Sequence, residues 1–342
     1  MIIEGNWRAF IIVAQKSVTD LESITDDLPK SPVTGFHAWQ GFIFACLAGL
    51  GYSAANVFLR MVSDQDPAWV SCVKAIPTLV FVIPWLLLRY RKGHRTAPTR
   101  RLVLLMIGVS IVGHLAGNVV FQWSLGIIGL ALAVPVTTGS MILASAVLGW
   151  LLLKEQVSKR TIIAILILLA AIVLLSFGSD EATESVLTDP DAAPRSLKLD
   201  TLSVLLVCGS GIGYALFGIV IRHCVQNGMS NPMVLFISST VGFIVLLIAT
   251  FISADWSVIS NTSPVDLTYM LVAGVCNFQA FACLVVALRL LTVTSVNLLN
   301  SSQIAIAAIA GVMFFDEPVT TPLILGVMLT IAGVMAIGSA RE

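Results

Sequence analysis

Gly49-Leu50-Gly51-Tyr52-Ser53-Ala54-Ala55-Asn56-Val57-Phe58-Leu59-Arg60 has a counterpart 162 residues later, Gly211-Ile212-Gly213-Tyr214-Ala215-Leu216-Phe217-Gly218-Ile219-Val220-Ile221-Arg222. Both begin Gly-x-Gly-Tyr and end on Arg. The same offset pairs Glu155 with Glu317 and Val157 with Val319, far from the first match. One coincidence would carry little weight, but a shared offset at both ends of a segment argues for duplication.

Around these markers the chain is a series of long apolar runs, near 40–62, 67–89, 102–124, 127–153, 161–178, 201–222, 232–253, 266–288, 291–315 and 320–338. A helix needs about 20 apolar residues to cross a bilayer, and most of these runs reach that length. The composition agrees: 57% of residues are hydrophobic and 11% charged, with a mean hydropathy of +0.96. Soluble domains carry about a quarter charged residues. The predicted fold is an all-α polytopic membrane protein of ten transmembrane helices, arranged as two five-helix repeats. Five is odd, so the second repeat is inverted in the membrane relative to the first. The predicted organisation is a tail at 1–38, a first repeat at 39–178, an acidic external linker at 179–200 and a second repeat at 201–342.

The linker holds Asp180, Glu181, Glu184, Asp189, Pro190 and Asp191, which cannot enter lipid. With ten spans, fifteen of the nineteen Lys and Arg fall on the side of the termini, while Arg60, Arg195 and Lys198 fall opposite and Lys74 lies within a span. The positive-inside rule then makes both termini cytoplasmic. The apolar run near Ile11 is short and flanked by Glu4, Arg8 and the acids from Asp20 to Asp27, so the first residues read as a cytoplasmic tail and not as a signal peptide.

Several classes of function are excluded. A formal net charge of +0 supplies no basic footprint for nucleic acid. The six cysteines lie in or beside apolar runs without a CxxC pair, as small buried hydrophobes do. No cofactor is expected, and no GxxxxGK[ST] loop is present for ATP. A membrane-embedded transferase would need clustered acids or histidines at the membrane face, and the loops contain none.

The glycine-rich first span of each half, Lys74 in the second span, and Glu155 and Glu317 after each fourth span resemble the drug/metabolite transporter superfamily, in particular its EamA-type members. The resemblance covers nearly everything after residue 38. It implies a bacterial inner-membrane carrier that moves a small metabolite, such as an amino acid, related polar metabolite or drug-like solute, by alternating access, often outward. Inverted repeats commonly place such a site near midplane between the two copies. A pore-like facilitator or a non-transporting scaffold is the alternative.

Ionisable and polar groups within spans are costly, and so they are the candidate site. Lys74 lies seven residues into its span, where it could meet an anionic solute group, carry a coupling proton, or snorkel to a wet vestibule. His114, Asn118 and Gln122 recur every four residues on one face. His114 could couple transport to protons, or its neutral ring could join two helices. Asn297 and Asn300 share a face, with Gln303 off to the side. Tyr52 and Asn56 form a similar pair, Tyr214 repeats the tyrosine, and Asn277 sits in the span equivalent to that of His114. These amides and phenols either line a path or hold helices together. The spans are expected to be free of buried acids. Glu155 and Glu317 are expected to sit at the N-terminal dipole of the helix that follows each.

Overall fold

A computed structural model describes residues 35–91, 98–153, 159–177, 197–253 and 257–338. The helices are α1 (Gly35–Met61), α2 (Pro67–Arg91), α3 (Arg100–Val112), α4 (Val120–Leu153), α5 (Lys159–Phe177), α6 (Leu197–Gln226), α7 (Asn231–Ser253), α8 (Ser257–Asn261), α9 (Pro264–Leu290), α10 (Val293–Asn300), α11 (Ser302–Phe315) and α12 (Thr321–Gly338). A π-helical stretch, Gly113–Val119, joins α3 to α4. The described residues contain no strand. Seven helical segments are long and apolar enough to cross a membrane, and two shorter apolar stretches lie in α5 and α12. The longest segment, Arg100–Leu151, has 52 residues and is interrupted at Gly129, whose φ of 73° and ψ of 176° are not helical.

Local chemistry starts the helices. Asp66 Oδ1 accepts the Trp69 amide at 2.8 Å at the head of α2, and Thr320 Oγ1 accepts the Leu323 amide at 3.2 Å at the head of α12. Ser263 caps α9 by accepting the Asp266 amide at 3.1 Å, with Pro264 at the first helical position. These side chains satisfy amides that have no intrahelical partner. α9 begins ahead of its apolar run, so Asp266 occupies its first turn. α6 likewise begins at Leu197, inside the segment assigned to the linker, because helical hydrogen bonding continues past the last apolar residue. Residues 179–196, the tail up to residue 34, and Glu155 lie outside the described residues.

Packing between the halves follows the duplication. α1 packs on α9, and its repeat-related pair, α6 against α3 and the π-helical stretch, is also in contact. α4 packs on α6, and the corresponding contacts of α10 and α11 with α1 are present. α2 with α7 and α5 with α12 are self-equivalent pairs. A pseudo-two-fold relation therefore organises the interface, and the polar residues cluster along it. Large apolar side chains such as Leu166, Ile252 and Met313 point outward, as lipid-facing residues do. All six cysteines are unpaired.

Candidate functional site

Between the halves lies a cavity of about 140 Å³. Nine of the residues that the sequence singles out line it: Lys74 from α2, His114 and Asn118 from the π-helical stretch, Tyr52 and Asn56 from α1, Tyr214 from α6, Asn277 from α9, and Asn297 and Asn300 from α10. Their residue types are dispersed over 249 positions, and the bundle brings them to one space.

Four of these side chains form a bonded chain. Lys74 is 5% exposed, and its Nζ donates to Asn118 Oδ1 at 2.8 Å. The Tyr214 hydroxyl donates to the same oxygen at 3.0 Å. An ammonium only donates, so the Asn118 oxygen faces Lys74 and its amide nitrogen faces His114 Nδ1, 2.9 Å away. His114 Nδ1 must then accept, which leaves the proton on Nε2. That nitrogen donates to the Ser238 carbonyl at 3.1 Å on α7. The orientation of one amide thus fixes the tautomer of a neutral imidazole across two helices. Gly242 makes room for it, since a Cβ there would run into the His114 ring.

The π-helical turn governs what else reaches the cavity. Its wider turn changes the helical phase, and Gln122 leaves the face shared by His114 and Asn118. Gln122 Nε2 instead donates to the Leu59 carbonyl at 3.0 Å. The break between α10 and α11 has the opposite effect, and Gln303, which falls off the Asn297 and Asn300 face in a continuous helix, lines the cavity. Asn297 Nδ2 donates to Ser145 Oγ at 2.8 Å, tying α10 to α4, while Asn300 Oδ1 is buried without a partner. Sequence reasoning missed Ser238, a serine with no polar neighbour at helical spacing to mark it. It also missed the apolar wall of Phe217, Phe281, Leu284 and Leu288, whose residue types match any membrane helix.

Outside the cavity lining, Glu317 performs a different task from the one expected. Its two oxygens accept the amides of Leu130 and Ala131, each at 2.7 Å, just after the break at Gly129. It therefore caps a helix start in the other half and not that of α12, its sequence neighbour. Arg60 Nε stands 3.1 Å from Glu317 Oε1, and the guanidinium lies over the Phe315 ring at 5.3 Å. Gly129 is required twice here: its φ of 73° suits glycine, and a Cβ would meet the Glu317 carboxylate. No group of three or more His, Cys, Asp or Glu that could hold a metal occurs among the described residues.

The duplicated bundle with a buried polar cavity between its halves defines a polytopic membrane protein of the transporter type. The EamA-like transporter family model matches residues 39–177 and again 201–339, and the chain belongs to that family, within the drug/metabolite transporter superfamily. No curated protein matches it in sequence. The solved structures that match include a crystal structure with a TM-score of 0.63 at 10% identity, covering 88% of this chain and 97% of the other.

Proposed function

We infer that this protein is a secondary carrier that exports a small metabolite across the bacterial inner membrane by alternating access. It crosses the bilayer ten times, counting the halves of the segment broken at Gly129 and the two shorter apolar helices, with both termini in the cytoplasm. The tail at 1–38 precedes the first repeat, 39–178, and the acidic external linker at 179–200 joins it to the second, 201–342. The nine polar candidates in the cavity lining bind the solute, and His114 or Lys74 handles a coupling proton.

The observation that carries this reading is the position of the cavity, walled by both halves at their pseudo-two-fold interface. A site shared by two inverted repeats can be exposed to either side by rocking one repeat against the other. Solute counterflow in proteoliposomes tests the reading. Internal unlabelled solute should accelerate uptake of the labelled form. Uptake without acceleration would identify a pore-like facilitator, and no uptake of any solute from a broad metabolite set would leave a scaffold. Reporter fusions at each terminus test the topology, with a cytoplasmic signal expected from both.

A further inference from the structure

The charge balance of the cavity is uneven. Its described lining residues include Lys74 and no Asp or Glu. The ammonium has three donors, of which one is satisfied by Asn118 Oδ1. That oxygen belongs to a neutral amide and also serves Tyr214, so it supplies no counter-charge. Leaving a buried charge unpaired costs several kcal/mol, and proteins avoid it by supplying an opposite charge or a water-filled space. The ion pair of Arg60 with Glu317 is committed to the helix cap at Gly129.

We propose that the missing counter-ion is the solute itself: a small organic monoanion whose carboxylate meets Lys74 Nζ and whose apolar body lies against Phe217, Phe281, Leu284 and Leu288. This rests on the cavity being the transport site. A single ammonium in a neutral network balances one negative charge. A phosphate monoester carries about −1.5 to −2 near pH 7 and would call for a second cation. A zwitterion would bring its own ammonium next to Lys74, with no carboxylate among the described lining residues to receive it. The size also constrains the solute, because a cavity of about 140 Å³ is close to one that encloses a benzene ring. Lysine presents a point charge and not a planar fork, so the head group is selected by charge and the remainder by fit to the aromatic and aliphatic wall.

The test uses the purified full chain at pH 7 with matched probes: phenylacetate, benzoate and 4-methylpentanoate; their primary amides; phenylalanine and leucine; and phenyl phosphate with inorganic phosphate. Thermal shift measures binding, and counterflow in proteoliposomes measures exchange. At least one monocarboxylate should raise the melting temperature by several degrees, with its amide and the amino acids tenfold or more weaker. Lys74→Gln should abolish that shift, and Lys74→Arg, which keeps the charge and reports on folding, should retain part of it. The proposal is overturned if amides or zwitterions bind as well as carboxylates, if phosphates bind better, if Lys74→Gln keeps the affinity, or if no monocarboxylate binds. Carboxylate binding that depends on Lys74 without counterflow would sink the carrier reading alone. Counterflow of a neutral solute with no carboxylate binding would sink this inference alone.

Discussion

Arg60 Nε and Glu317 Oε1 stand 3.1 Å apart across 257 residues of sequence, tying the end of α1 to the connection between α11 and α12. The same carboxylate holds the amides of Leu130 and Ala131, so three segments from both halves meet on one side chain.

Glu317→Ala removes the acid and leaves both Arg60 and the two amides without it. Breaking such a buried pair costs about 3–5 kcal/mol. Arg60→Ala alone should cost less, because the carboxylate keeps its two amide donors. The double variant should be more stable than the sum of the single losses indicates, since the penalty lies in the unpaired charge. Strictly additive losses in thermal denaturation would show that the two residues do not act on each other.

Gly129→Ala forces a Cβ into a backbone with φ of 73° and against the Glu317 carboxylate. A loss of at least about 1 kcal/mol is expected from the backbone conformation alone. The same substitution at Gly108, which has open space around it, should cost nothing comparable. Equal melting temperatures for the two variants would refute the capping geometry.

Gly242→Ala places a methyl group where the His114 imidazole sits. Overpacking of this kind costs about 1–3 kcal/mol. Adding His114→Ala to Gly242→Ala should recover stability, because it vacates the contested space. Further loss in the double variant would mean that the glycine serves some other contact.

His114 accepts from Asn118 through Nδ1, and that same amide carries the oxygen that holds Lys74. A proton added at Nδ1 turns acceptor into donor, which obliges the Asn118 amide to rotate and withdraw its oxygen from Lys74. His114→Gln should therefore lose the response of uptake to an imposed pH gradient while keeping solute counterflow. An undiminished response would remove His114 from the coupling path.

Much of the architecture can be read before any coordinates, because bilayer thickness and chain duplication leave marks at known spacing. Runs of apolar residues and the 162-residue offset are such marks. So is the rarity of polar groups within them, which is why nine of the candidates meet in one cavity. Helix phase is less legible. The sequence around Gly113 carries no signature of a π turn, so Gln122 reads as part of the His114 face although it bonds to Leu59. The break at Ser301 hides Gln303 for the same reason. Pairings between distant segments are hidden too: Arg60 and Glu317 are both visible as repeat markers, yet nothing in their spacing says that one binds the other.

The bonded chain of the cavity has no twin. The residues 162 positions after Lys74, His114 and Asn118 are Phe236, Cys276 and Ala280, none of which can rebuild it in the second half. Two identical inverted halves would exchange roles between two states of equal energy, by symmetry alone. Here that degeneracy is lifted, because one half carries the ammonium, the imidazole and the amide while the other presents a ring, a thiol and a methyl group at those positions. Under the alternating access proposed above, a carrier built this way has a preferred resting side even with no solute and no gradient, and its inward and outward affinities differ.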